Sequence, residues 1–442
     1  MTDTIQIVCD NLGGRVEAAA GTSLSELAAR IGPRTLPFLA AEVDNRIKEL
    51  SYRLYAPATV RFVDLSSFAG IRVYQRTAWF ILQKAVQDLY PAQKLHIRHS
   101  LGRSGFYCEI EGIDEFTAAE ADALRERMQR IVGADLPIRR VRALTSEVRA
   151  RYAAQGYDDK IALLDTRPRL YSEYHTLDDT VGYFYGALAP STGYVRLFGI
   201  EPYYNGFYLA LPLRTAPDRI HTDFYQEKMF GIFREYQSWV RIMGVPTVGD
   251  VNAKVLAGDA GGMIKLAEAF HERKFAWVAD SIYEANLTRG TRMVLISGPS
   301  SSGKTTSAKR LGIQLGVLGL KPVMISLDDY FVEREKTPRD ENGEYDYEAL
   351  EAIDLELFND HLRRLMAGES IDIPRYDFVT GRRTKHDAPL TLDERSILIV
   401  EGIHGLNPRL TPSIPDEQKF RIYISCFTSV AMDNLSRIAT TD

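Results

Sequence analysis

The stretch Arg292-Met-Val-Leu-Ile-Ser-Gly298-Pro-Ser-Ser-Ser-Gly-Lys304-Thr-Thr306 decides how the C-terminal third of this sequence folds. Arg292 to Ser297 is a mostly apolar run of strand type, and Thr306 to Val317 reads as a helix. Between them the sequence fits G-x-x-x-x-G-K-[ST] in the strand–loop–helix context the pattern requires. Glycines there let backbone N–H groups surround phosphate oxygens, and the following helix aims its N-terminal dipole at the same anion. Gly298, Ser300, Ser301, Ser302, Gly303, Lys304, Thr305 and Thr306 are therefore the candidate phosphate cradle. Lys304 is placed to reach the β- and γ-phosphates, and the Thr305 hydroxyl to ligate Mg²⁺, which makes ATP with Mg²⁺ the expected ligand. The competing reading, a glycine-rich turn that binds nothing, does not explain that context.

Working outward, further apolar runs lie at Val323–Leu327, Ile397–Val400 and Phe420–Ser425, with helical patterns between them. Apolar strands alternating with helices imply a parallel sheet covered on both faces. Ligands of such sheets sit beyond the carboxyl ends of the strands. Two carboxylates fall there. In Ser326-Leu-Asp-Asp-Tyr330, Asp328 can take a proton from an attacking hydroxyl or hold Mg²⁺ through water. Its alternative is a helix cap or loop residue. In Leu398-Ile-Val-Glu-Gly402, Glu401 can hold Mg²⁺ or its water shell, or it can be simply solvated.

These runs, with Tyr345-Asp-Tyr-Glu348, Ile373-Pro-Arg-Tyr-Asp-Phe378 and Val400-Glu-Gly-Ile-His-Gly-Leu406, resemble the uridine kinase/phosphoribulokinase family of P-loop kinases. The resemblance implies that Asp328 activates a nucleoside 5′-hydroxyl and that Asp346 binds ribose hydroxyls. It places Tyr376 and Phe378 at the base and Ile403 against sugar or base. Pyrimidine-specific members carry His or Tyr where this sequence has Gly381, followed by Arg382 and Arg383. A pyrimidine edge loses a hydrogen-bond partner there, and an arginine such as Arg382 could instead meet an anionic acceptor bidentately. In the family, the strand like Lys419–Cys426 is followed by a helix and an arginine-bearing lid. Ser425 to Asp442 reads as a continuation of the fold, stopping where that lid should begin.

The N-terminal part has a different grammar. A strand-like run, Thr4 to Cys9, a glycine turn and a second strand precede Thr22-Ser23, which caps an apolar stripe at Leu24, Leu27, Ala28 and Ile31. Short strands follow around Phe38–Val43, Arg46–Glu49 and Thr59–Phe62. Residues 1–66 resemble the β-grasp TGS domain. Residues 67–215, with a helix from Val73 to Leu89, a strand at Gly105–Ile110 and a helix at Ala118–Ile131, resemble the second additional domain of threonyl- and alanyl-tRNA synthetases. Residues 216–291 read as a helical connector, and residues 292–442 as the kinase. The expected fold is thus multi-domain, α+β followed by α/β. This order resembles that of bacterial uridine-kinase-like proteins.

The synthetase domain's metal-binding H-x-x-x-H pair has no counterpart in Tyr74 to Trp79, and no cysteine occurs in Tyr171–Phe184, so editing chemistry is not expected. His175 is alone and reads as structural. His96 and His99 lack a third ligand. Arg139, Arg140, Arg142, Arg149 and Arg151 fit either a solvated helix face or contacts to RNA phosphates.

Composition bounds the rest. The 442 residues carry 54 Lys+Arg against 59 Asp+Glu, a net charge of −5, which exerts no global pull on nucleic acid or membrane. Hydrophobic content of 45% is that of globular domains with ordinary cores. Cys9, Cys108 and Cys426 are too scattered for a disulfide framework or zinc site. No basic segment and long apolar run open the sequence, and no run approaches a membrane span, so the expected compartment is the cytoplasm. The leading expectation is ATP-dependent phosphorylation of a nucleoside 5′-hydroxyl. A nucleotide-dependent RNA- or tRNA-binding protein and a kinase of another sugar or phosphosugar remain open, as does the oligomeric state.

Overall fold

Met293–Ser297 is buried along its whole length because it lies inside a four-stranded parallel sheet, in spatial order Lys321–Ser326, Ser396–Glu401, Met293–Ser297, Lys419–Tyr423. Alternate side chains leave on opposite faces. Val294, Ile296, Ile397 and Ile399 pack with Ala308, Leu311 and Leu315 of the helix Lys304–Val317, and with Ala279 and Ile282 of the long helix Ala260–Arg289. Met293, Leu295, Leu398 and Val400 pack on the other face with Phe358, Leu362 and Leu365 of the helix Leu355–Met366. At about 1.5–3 kcal/mol for each fully buried large apolar side chain, this two-sided burial fixes the sheet. Its register brings Ser326 opposite Glu401 and Ile296 opposite Glu401, so the strands' carboxyl ends share one edge.

The computed structural model describes residues 4–222, 225–385, 388–426 and 430–437. The chain divides into two units, Met1–Ala260 with Ser429–Asp442, and Gly261–Thr428. The sheet just described belongs to the second. The first opens with a five-stranded sheet in order Gly14–Ala19, Thr4–Cys9, Ala58–Val63, Ala40–Val43, Arg46–Glu49. Beside it runs the helix Leu24–Ala29, whose cap is reciprocal: Glu26 N donates to Ser23 Oγ at 3.2 Å and Ser23 N donates to Glu26 Oε2 at 2.7 Å. A four-stranded antiparallel sheet, Gly199–Tyr203, Gly206–Ala210, Gly105–Ile110, Leu95–Leu101, then packs with the helices Phe68–Leu89 and Ala118–Gly133 around one core. The first of these helices begins five residues before the expected Val73, because Ser67 caps it by accepting from Gly70 N at 3.0 Å.

Two elements depart from the sequence reading. Leu95–Leu101 is a strand that the sequence hides, since His99 takes an inward position where alternation calls for an apolar residue. Arg139, Arg140 and Arg142 lie on the strand Ile138–Leu144, and only Arg149 and Arg151 lie on a helix, Thr145–Ala154. A single solvated helix face is therefore not what these arginines form.

The second unit's edge strand ends at Tyr423, and residues 430–437 pack in the first unit. There Ile97 N donates to Asn434 O at 2.8 Å, Val248 N donates to Ala431 O at 2.9 Å, and Leu435 enters the core. Asp433, 1% exposed, pairs with Lys160, 4% exposed, at 2.8 Å. A buried charge needs such a partner, and each supplies the other's.

Candidate active site

The loop between Ser297 and Lys304 is held in a shape that few side chains allow. Gly303 has φ +87°, and Ser301, though not glycine, has φ +59°. A Cβ on Gly298 would come within 2.1 Å of Ile424 O, so only glycine lets the loop approach the neighbouring strand. The helix Lys304–Val317 begins on Gly303 with no side-chain cap, leaving its first N–H groups available. Ser302 Oγ is buried without a hydrogen-bond partner. Lys304 Nζ donates to Pro299 O at 2.9 Å, folding the ammonium back over the loop. Donors without acceptors around a cradle that a Cβ would fill fit a phosphate chain.

Glu401 stands at the carboxyl end of its strand. Its Oε1 accepts from Thr305 Oγ1 at 3.0 Å and from Ser326 Oγ at 3.1 Å. Two hydroxyls and a carboxylate from three different elements thus converge where a hard cation would meet oxygen ligands. Asp328 follows on a single 3-10 turn, Leu327–Tyr330. Its carboxyl is pushed above the usual range, first by desolvation and then by the Glu401 charge, with Lys304 opposing. The side chain remains open to solvent, so this is a bias toward holding a proton rather than a buried neutral acid.

The second group of expected residues is arranged around aromatic rings. Tyr376 lies 5.6 Å from Phe331 and 4.9 Å from Phe378 between ring centroids. Tyr376 is 6% exposed, and its hydroxyl is buried with no partner. Phe378 is 52% exposed. Asp346 spends Oδ1 on its own turn, accepting from Glu348 N at 2.9 Å and Ala349 N at 3.1 Å. Ile403 is half-buried, and its carbonyl accepts from Ser297 Oγ at 2.7 Å.

The arginines are sorted differently from the sequence expectation. Arg382 is exposed. Arg383 is committed to structure, donating to Phe331 O at 2.6 Å and to Asp354 Oδ2 at 2.8 Å. The residue that occupies the space at Gly381 is Arg334. A Cβ on Gly381 would lie 2.8 Å from Arg334 Cβ and from its Nε. Arg334 Nη2 donates to Phe378 O at 2.6 Å, and its N donates to Gly381 O at 3.1 Å. The Tyr347 hydroxyl beside it raises its pKa further. The sequence offers one signal for Arg334, the missing side chain at position 381, and it is too weak to single that arginine out.

The histidines singled out in the first unit form architecture. His175 is fully buried, and its Nε2 lies 2.8 Å from Glu49 Oε1. Arg140 donates to the same oxygen at 2.8 Å. Burial opposes ionisation of Glu49, yet His175 and Arg140 outweigh it and hold the carboxyl down at about 2. His99 is stacked on Phe233 with centroids 3.7 Å apart, and burial lowers it to about 3. His96 lies 3.4 Å from Glu111. Among the described residues no group of three or more His, Cys, Asp or Glu could hold a metal on protein ligands alone. None of the described helices is long and apolar enough to cross a membrane. Cys9, Cys108 and Cys426 are all unpaired.

Comparison with known proteins divides along the same line. Residues 293–437 match the family model described as the phosphoribulokinase / uridine kinase family. The N-terminal half is homologous to threonine–tRNA ligases. It is 32% identical over 188 residues to that of Symbiobacterium thermophilum, covering 41% of this chain and 28% of the relative. It is 28% identical over 202 residues to threonine–tRNA ligase 1 of Bacillus subtilis, covering 45% and 31%. The chain thus spans about a third or less of the length of these curated relatives. Among solved structures, one described as a possible uridine kinase from Bacillus stearothermophilus is 28% identical over 31% of this chain and 71% of that chain, at a TM-score of 0.26. A putative fructose transport system kinase from Silicibacter is 20% identical over 33% and 73%, at a TM-score of 0.26.

Proposed function

We propose that this protein is an ATP-dependent kinase that phosphorylates a small hydroxylated acceptor, a nucleoside 5′-hydroxyl in the leading reading. One observation carries it: Thr305 and Ser326 hydroxyls meet on Glu401 at the edge of a parallel sheet, directly beside the phosphate cradle. Mg·ATP, when bound, supplies the phosphoryl group and offsets the charge that develops on it. The chain's residues do the positioning. The N–H groups after Gly303 and the Ser302 hydroxyl take phosphate oxygens, and Lys304 leaves Pro299 O to reach the terminal phosphate. Thr305 and Glu401 hold the cation. Asp328, already biased toward a proton, accepts the one released by the acceptor hydroxyl. Tyr376 and Phe378 stack against the acceptor, and the free oxygen of Asp346 takes a hydroxyl. Ile403 closes the side of the pocket. We place the sequence modules at 1–66, 67–215, 216–291 and 292–442, with residues 430–437 packed back into the first unit, in a cytoplasmic protein.

A second reading rests on Arg334. A guanidinium seated where a pyrimidine-reading side chain would stand favours an anionic acceptor, such as a phosphorylated sugar. The test is a panel of nucleosides, sugars and sugar phosphates with Mg·ATP and the full-length protein, read as ADP release. Turnover of uridine or cytidine supports the first reading, and turnover of sugar phosphates alone replaces it with the second. Asp328→Asn should lower the rate on the preferred acceptor about 10²–10⁴-fold. ADP release indifferent to every acceptor would sink the kinase assignment.

A further inference from the structure

The first unit contains a cleft of about 240 Å³ that takes no part in the kinase reading. The strand Ile138–Leu144 brings Arg142 to it. The short turn after the helix Asp158–Asp165 brings Arg167 and Arg169, and the strand Tyr171–Leu177 brings Tyr171. Among the described residues none of the three guanidiniums is paired with a carboxylate, whereas their neighbours outside the cleft are. Arg140 pairs with Glu49 and Glu173, and Arg149 with Asp165. The carboxylates at the cleft are already neutralised, Glu173 by Arg140 and Asp433 by Lys160. What the cleft presents to solvent is therefore a cationic field.

It also presents ring faces and edges. Arg142 lies over the Tyr171 ring, 5.1 Å from its centroid, and Tyr171 is 48% exposed. Tyr183 and Tyr185 meet edge to face at 4.8 Å. Tyr185 is held at φ +44°, a left-handed conformation that costs a non-glycine residue roughly 1–3 kcal/mol and persists only where its surroundings enforce it. An inorganic anion would use the arginines and leave the tyrosines idle, and an apolar ligand would do the reverse. Guanidiniums beside one exposed and two half-buried aromatic rings suit one chemistry that needs both, a phosphate joined to a planar base. The volume admits one such unit and no duplex.

We propose that this cleft binds a phosphorylated nucleotide unit, either a free mononucleotide or the terminal nucleotide of a single-stranded RNA. The inference does not depend on the kinase reading, since no residue of the P-loop unit lines the cleft. The experiment is fluorescence anisotropy of a labelled, 5′-phosphorylated RNA hexamer with the full chain carrying Lys304→Ala as the parent, without ATP, so that the P-loop is not the site measured. The expected result is binding that Arg142→Ala/Arg169→Ala weakens at least tenfold. The slope of log affinity against log salt should shrink by about 1.4, roughly 0.7 for each phosphate that an arginine no longer neutralises. Arg167→Gln, at an exposed turn, should weaken binding without altering the melting temperature. Arg149→Ala, paired and outside the cleft, should stay within twofold of the parent. Displacement of the hexamer by cytidine 5′-monophosphate would identify a free nucleotide as the ligand, and its failure to compete would identify an RNA end. Two results would overturn the proposal: neither probe binding the parent, or Arg149→Ala weakening binding as much as the cleft variants.

Discussion

The P-loop crevice and the Glu49–His175 cluster are both built from charged and polar side chains, but they close their hydrogen bonds differently. Glu49 Oε1 accepts from His175, from Arg140 and, at 3.3 Å, from Leu188 N, so that oxygen is filled from within the chain. In the crevice the Ser302 hydroxyl is buried without a partner, the first helical N–H groups are uncapped, and Lys304 rests on a carbonyl of its own loop. An unmade hydrogen bond in a buried place costs about 1–3 kcal/mol. At Glu49 Oε1 the chain removes that cost within itself, and in the crevice the Ser302 hydroxyl leaves it for a ligand to remove. A carboxylate oxygen filled from within reads as structure, and donors left open around a glycine cradle read as binding.

Mutations should break that contrast in opposite ways. The largest effect is expected from Lys304→Ala. It should lower ATP turnover by about 10²–10³, the scale set by removing one preorganised donor, while leaving the melting temperature nearly unchanged. A large stability loss there would mean that the crevice is structural after all. Asp433→Ala in the first unit should do the reverse. It strands Lys160 without a counter-charge, and denaturant unfolding should show a loss of about 3–5 kcal/mol.

Acid supplies a third probe. Glu49 has a folded value near 2, below its unfolded value, so its contribution to stability is complete above that unfolded value and disappears as pH falls toward 2. His175, buried and shifted down, adds in the same direction as pH falls below about 6.5, because protonation then favours the unfolded chain. Chemical denaturation from pH 7 to pH 3 should show the parent converging on Glu49→Gln, and a constant gap between them would refute the ionised network. The smallest effect is expected from Arg382→Ala. That exposed side chain should change stability by under about 0.5 kcal/mol and leave the acceptor KM alone, while Arg334→Ala raises it.

What the sequence disclosed follows the same divide. The cradle was legible because its chemistry is local: strand, loop and helix are contiguous from Met293 to Val317. Glu401 and Asp328 were legible as strand-end carboxylates, although their common edge needed the register of three strands. Arg334 was not legible, because its place at Gly381 is made by the chain turning back on itself. Nor was the Glu49–His175 contact, which joins positions 126 residues apart. His99 concealed a strand by standing where an apolar residue was expected, and packing on Phe233 rather than periodicity put it there.

The first unit is discontinuous, taking residues up to Ala260 and then residues 430–437. Synthesis runs from the N-terminus, and domains that emerge early generally fold early. Here the earliest unit leaves the ribosome with Lys160 facing a place that Asp433 has yet to fill. The unit begun first therefore waits for residues made after all four strands of the second unit's sheet. Its consolidation thus records that those four strands have already been synthesised.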